Sequence, residues 1–275
     1  MVYPFVVSVR EGLEAALIIG IMLAYLDKTR RRGAGYIWAG SVSALALSLA
    51  AGVGIYLTAG RLSGKALDIF EGAAMLLAVG VLTAMIFWMR SQAAGLKGNL
   101  QHQVEKALAR DMGWSLALLA FTVVIREGIE TVLFLVAGVF NAGQPLAYAA
   151  GGLLGLGLAA LLGYSIYRGA GVLPLRSFFN VTSVLLVFLS AGMLMNALTE
   201  FHEVGLVPPL IGHVWDTYAI LADSAGPGQF LSALFGYTAA PSLTQVLAYT
   251  LYLAGALGYY FWPQRARQAG RTAQT

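Results

Sequence analysis

Long apolar runs dominate this chain, and its polar residues gather in the short stretches between them. A helix needs about 20 apolar residues to cross the hydrocarbon core of a bilayer. Seven segments meet that length: 3–26, 37–59, 67–89, 113–140, 146–167, 178–200 and 241–262. The pattern predicts an all-α polytopic membrane protein with seven transmembrane helices. Composition agrees. Of 275 residues, 59% are hydrophobic and 11% are charged, whereas soluble domains carry about 25% charged residues.

The basic residues between the runs predict an orientation. Lys28, Arg30, Arg31 and Arg32 follow the first run; Arg90, Lys97, Lys106 and Arg110 lie between the third and fourth. Arg168 and Arg176 lie between the fifth and sixth, and Arg265, Arg267 and Arg271 follow the seventh. If every run spans, these thirteen fall on one side and only Arg61 and Lys65 on the other. The positive-inside rule then puts the N-terminus outside and the C-terminus in the cytoplasm of a prokaryotic cell membrane. The net charge of +4 reads as this orientation signal and not as a nucleic-acid surface. No basic residue precedes the first run, and Arg10 and Glu11 interrupt it, so no cleaved signal peptide is expected. Cysteine is absent, which excludes disulfides, thiolate metal sites and a cysteine nucleophile.

Two runs break the apolar rule at their centres. "VVSVREGLEAALIIG" (6–20) holds Arg10, Glu11 and Glu14, and "FTVVIREGIETVLFLVAG" (121–138) holds Arg126, Glu127 and Glu130. A charged residue at such depth costs about 2.5–3.5 kcal/mol even on the gentler insertion scale. The two stretches are copies at an offset of 116, and the next runs continue the match at an offset of 111: Gly40 with Gly151, Gly52 with Gly163, Ile55-Tyr56 with Ile166-Tyr167. The whole chain, 1–275, therefore reads as one membrane domain. Repeat one covers about 1–90 and repeat two about 113–200; an outer segment of about 201–240 and a seventh helix at about 241–262 follow. Three spans per repeat is an odd number, so the halves are expected to be inverted, a design that places a site at the repeat interface near the midplane. The glycines of the fifth run (Gly151, Gly152, Gly155, Gly157) read as a small-residue packing face.

Residues i and i+3 share a helix face, so Glu11 projects with Glu14 and Glu127 with Glu130. Arg10 and Arg126 stand four residues before the second glutamate of each pair, where they balance its charge. Four converging carboxylates form an oxygen cluster suited to a hard cation. With all six groups ionised the cluster carries −2, which a divalent ion balances. Buried Arg–Glu networks that only hold the two helices together are the structural alternative.

The doubled R-E-x-x-E in a seven-span chain resembles the oxidase-dependent iron permease family, fungal and bacterial. "DIFEGAAMLLAVGVLTAMIFWM" (68–89) is similar to the family's third helix, and "AGMLMNALTEFHEVGLVP" (191–208) to its sixth helix and following loop. The resemblance covers nearly the whole chain. It implies a transporter and not an enzyme, with Glu11, Glu14, Glu127 and Glu130 as iron-translocating carboxylates and Arg10 and Arg126 in the same motifs. It also implies iron as the cargo, no permanent cofactor, and an extracytoplasmic oxidase, peroxidase-like protein or iron-binding lipoprotein that delivers or oxidises the metal. Other readings stay open. A related permease for lead or manganese fits the same residues. A membrane-embedded metalloenzyme is disfavoured, because di-iron bundles use Glu-x-x-His and no His lies within a predicted span.

Further acids lie on the predicted outer side. Asp68 and Glu71 begin the third run, and Glu200, His202 and Glu203 end the sixth; both sets are candidate entry residues, or solvated helix ends. Within the outer segment "HVWDTYAILAD" (213–223) reads as a short interfacial helix, with His213, Asp216 and Asp223 at the surface. His102 reads as an ordinary loop residue. Met75, Met85, Met89, Met193 and Met195 read as packing residues.

Overall fold

The computed structural model describes residues 2–30, 32–92, 113–139, 145–168, 175–224 and 226–261. Among them are eight helices and no strand: α1 (Val2–Thr29), α2 (Ala34–Ala59), α3 (Lys65–Gln92), α4 (Gly113–Val139), α5 (Pro145–Tyr167), α6 (Leu175–Glu203), α7 (Gly226–Phe235) and α8 (Leu243–Phe261). Each of the seven predicted segments contains one long helix. His102, Lys97, Lys106, Arg110, Arg31 and the basic residues after 261 lie outside the described residues.

Among the described residues four helices are long and apolar enough to cross a membrane on composition alone: α2, α3, α5 and α6. In α1 and α4 three charged residues interrupt every stretch of that length. The outward faces of α2 and α5 are apolar, with Leu49, Leu57, Leu153 and Leu154 all more than half exposed. Apolar surface on this scale has no stable place in water and matches lipid.

Helices adjacent in the chain are not the main packing partners. α1 packs chiefly on α5, α2 on α4, and α3 on α6. Glycine contacts give the register. A Cβ on Gly12 would meet Ala159 at 2.8 Å, and one on Gly163 would collide with Ala16, so α1 and α5 run parallel. A Cβ on Gly52 would meet Val132 at 3.1 Å, and one on Gly128 would collide with Ser48, so α2 and α4 also run parallel. At Gly40 the approach is closest: a Cβ would enter the Ala117 carbonyl, and only glycine lets the backbones meet there. On α5, Gly155 faces the Phe5 carbonyl and Ser8, while Gly157 has nothing within 4 Å and does not join the packing face.

α3, α6 and α8 form a second group. Gly72 near the start of α3 lies against Phe201 at the end of α6, so these two run antiparallel. Gln245 of α8 donates to the Met195 carbonyl (3.2 Å) and Thr199 Oγ1 (2.8 Å) of α6. Farther along, Thr83 and Tyr252 share a 2.7 Å hydrogen bond, and the rings of Phe87 and Tyr259 sit 4.1 Å apart. The larger apolar core joins this group to the first through Val7, Leu82, Ile86, Phe134, Leu186 and Tyr260. Met75 and Met193 belong to that core, and Met195 is buried too, as expected of packing residues.

The outer segment departs from expectation. Residues 213–223 are turns and extended chain, and the short helix lies downstream, Gly226–Phe235. Two tertiary bonds and one local bond hold 213–223 out of the helix. The Thr217 N–H donates to Ala239 O and the Val214 N–H to Pro241 O, both at 2.9 Å. The Asp216 carboxylate accepts from the Tyr218 N–H at 2.9 Å, an Asx turn that competes with helix. Gly226-Pro227-Gly228 starts α7: proline is tolerated in a first helical turn, where its missing N–H is not needed.

Candidate functional site

The two charged stretches occupy the middle turns of α1 and α4, which touch each other. Glu11, Glu14 and Glu127 each offer a carboxylate oxygen to one group whose members all lie within 4.8 Å of one another. Arg10 and Glu11 are fully buried, and Glu14 and Glu127 almost so. Glu130 lies beside them, 17% exposed, and is the most open of the four. Three of the four expected carboxylates thus converge, and Glu130 lies outside that group.

Each arginine bridges its own pair. Arg10 Nη1 donates to Glu11 Oε1 at 2.8 Å, and Nη2 lies 3.3 Å from Glu14 Oε1. Arg126 Nη2 and Nε donate to Glu127 Oε1 at 2.6 and 3.0 Å, with Glu130 Oε1 at 3.7 Å. The expected i,i+4 partner is therefore the farther one. In both motifs the guanidinium reaches the adjacent, buried glutamate first.

The pairing leaves acceptors over. Glu11 Oε2, Glu127 Oε2 and Glu130 Oε2 are buried and accept no hydrogen bond. Buried carboxylate oxygens without donors are costly unless a cation or proton supplies the missing partner. Two helices thus present oxygens that their own side chains do not satisfy. A cation held among them would take oxygen ligands only, the preference of hard ions.

The structure adds three residues that sequence reasoning left out of the site. Met85 Sδ and Met89 Sδ of α3 accept from Arg10 at 3.0 and 3.2 Å. The indole of Trp88, on the same turn, lies under the Arg126 guanidinium, 4.8 Å from ring centre to Cζ. Met85 and Met89 are therefore more than packing residues. Their spacing (85, 88, 89) puts all three on one helix face, which is the signal that was available.

The remaining candidate acids are elsewhere. Asp68 and Glu71 precede Met85 by 17 and 14 residues, about 20–25 Å along α3 at 1.5 Å per residue. They share that end of the bundle with Glu200, His202 and Glu203, through the contact of Phe201 with Gly72. His202 Nε2 is buried there with no hydrogen-bond partner. Within the outer segment, Asp223 accepts from the Ala239 N–H (2.9 Å) and His213 Nδ1 lies 3.3 Å from Ala240 O, so both fasten the segment to the chain before α8.

Comparison with known proteins gives the same family over almost the full length. The iron permease FTR1 family matches residues 1–265. Ferrous iron permease EfeU of Yersinia pestis is 39% identical over 269 residues, 97% of this chain and 95% of that one. Ferrous iron permease EfeU of Escherichia coli O6:K15:H31 is 38% identical, with 97% of both chains covered. No solved structure matches the chain. A match spanning both charged helices and all of the apolar runs described above is a relationship of whole chains, and this protein belongs to the iron permease FTR1 family.

Proposed function

We propose that this protein is a high-affinity iron permease that carries iron inward through the paired R-E-x-x-E motifs of α1 and α4. The observation that carries this reading is the convergence of Glu11, Glu14 and Glu127 within 4.8 Å, with Glu130 alongside. The family and the names of its relatives favour iron as cargo over lead or manganese. Glu11, Glu14, Glu127 and Glu130 are the translocating ligands, and Arg10 and Arg126 balance them when no metal is present. Asp68, Glu71, Glu200, His202 and Glu203 line the outer entry. No resident cofactor is required.

The packing supports an inverted repeat within one membrane domain of seven spans. Under the sequence offsets, the contact of Gly12 with Ala159 corresponds to that of Gly128 with Ser48. The contact of Gly163 with Ala16 likewise corresponds to that of Gly52 with Val132. Each half lends a helix to the other: α1 to α5, and α4 to α2. The directions also fit alternating crossings, since α1 runs with α5, α2 with α4, and α3 against α6. With the basic loops inside, the N-terminus is outside and the C-terminus cytoplasmic in the cell membrane.

The cargo crosses as Fe3+, taken up as such or after Fe2+ is oxidised at the outer face by an extracytoplasmic oxidase or peroxidase-like protein, or is delivered by an iron-binding lipoprotein. A second reading, direct passage of Fe2+, is favoured by the formal −2 of the cluster. Radiolabelled uptake into proteoliposomes tests both, with ferric citrate and ascorbate-reduced iron offered separately to wild type and Glu130→Gln. Uptake of either form that the substitution abolishes is the expected result and identifies the oxidation state. Equal uptake by a well-inserted Glu130→Gln protein overturns the site.

A further inference from the structure

One turn of α3 touches both motif arginines, although it contributes no charge to the site. Met85 and Met89 accept from Arg10 at 3.0 and 3.2 Å, and the face of Trp88 lies 4.8 Å from the Arg126 guanidinium. α3 comes from the first repeat, yet it serves an arginine from each.

The chemistry of these partners is unusual for cations midway along membrane helices, one of them buried and the other, Arg126, 44% exposed. Arg10 is fully buried, so the acceptors beside it are not interchangeable with water. Thioether sulfurs and an indole face attract a guanidinium weakly and carry no net charge. A metal ion entering the carboxylates competes with the arginines for the same oxygens, since Arg10 holds Glu11 Oε1 and Arg126 holds Glu127 Oε1. A guanidinium that gives up its carboxylate at this depth needs another partner, and a third acid there would compete for the metal. Neutral, polarisable acceptors hold the arginine and leave the metal to the glutamates.

We infer that Met85, Trp88 and Met89 form a holding element for the two arginines, positioning residues that let each motif exchange its arginine for the transported cation. The inference rests on the carboxylate site proposed above. In the metal-free protein the carboxylates and α3 share each guanidinium; in the metal-bound protein α3 is what remains. Loss of the α3 partners therefore destabilises the metal-bound state more and weakens iron affinity.

The test measures equilibrium Fe2+ binding to the purified full-length protein under anaerobic, ascorbate-reduced conditions. Trp88→Leu is expected to raise Kd about 2- to 5-fold, the value of one cation–π contact between partly exposed groups. Trp88→Phe, which keeps a π face, recovers most of that loss. Met85→Leu/Met89→Leu, which keeps the shape and removes both sulfurs, weakens binding to a similar degree. The decisive comparison is in the arginine-free backgrounds. Trp88→Leu adds nothing in Arg126→Gln, and Met89→Leu adds nothing in Arg10→Gln, because the α3 groups act only through the arginines. Wild-type affinity in both α3 variants, or a loss of unchanged size in the arginine-free backgrounds, overturns the inference. If Trp88→Leu does not fold, the methionine pair carries the test. Fe2+ binding by Glu130→Gln at wild-type strength is a different failure, that of the carboxylate site itself.

Discussion

A carboxylate oxygen of Glu14 on α1 lies within 4.8 Å of one of Glu127 on α4, across the seam between two copies of the same motif. Ligands that act on one ion are not independent. Glu14→Gln and Glu127→Gln are each expected to weaken iron binding by at least the ~10–100-fold that loss of a supporting group costs at metal sites. The double variant is expected to be little worse than either. Equilibrium binding measured for all four proteins checks this; losses that simply add place the two carboxylates at separate sites.

Arg10 is the larger structural risk. It is fully buried and is the shared ion-pair partner of two buried carboxylates. Arg10→Gln leaves them without a countercharge, a change that costs about 3–5 kcal/mol in buried pairs. Thermal unfolding in detergent is expected to show a marked loss, partly restored by adding Glu11→Gln. The same substitution at Arg126, which is 44% exposed, is expected to cost much less.

Close helix contact predicts a contrast between two glycines of one helix. Gly40→Ala drives a methyl into the Ala117 carbonyl and is expected to destabilise by about 1–3 kcal/mol, the usual range for overpacking. Gly54→Ala meets nothing within 4 Å and is expected to be neutral or mildly stabilising. Melting temperatures of the two variants, and uptake by each, separate the cases.

The absence of cysteine makes topology directly measurable. Single cysteines at Ser63, between α2 and α3, and at Arg32, between α1 and α2, are expected to react with a membrane-impermeant maleimide from opposite sides. Ser63→Cys reacts in intact cells and Arg32→Cys only after lysis. Labelling of both from one side rules out alternating spans.

The motifs were legible because charge in an apolar run is conspicuous, and because Arg10-Glu11-Gly12 returns as Arg126-Glu127-Gly128. The helices were legible from length alone, to within a few residues. What α3 does for the arginines was not, because Met85, Trp88 and Met89 are as apolar as their neighbours; only the crossing of helices distant in sequence makes them acceptors. The short helix at Gly226–Phe235 was hidden by its own beginning. Gly-Pro-Gly is the composition of a turn, and the segment before it, rich in Trp, Tyr and Ile, looks like an interfacial helix. Tertiary hydrogen bonds from Val214 and Thr217 to the chain ahead of α8 decided otherwise.

The parallel pairing of α1 with α5 has a consequence for biogenesis. α1 is complete at Thr29, but its main neighbour does not begin until Pro145. At ~5–20 residues per second, translation leaves roughly 6–20 s between the two. For that interval Ser8, Gly12 and Ala16 stand without the helix they pack on. Insertion machinery or a provisional neighbour must cover that face, so the first helix made is among the last to be finished. Membrane quality control therefore meets this protein at its least assembled point.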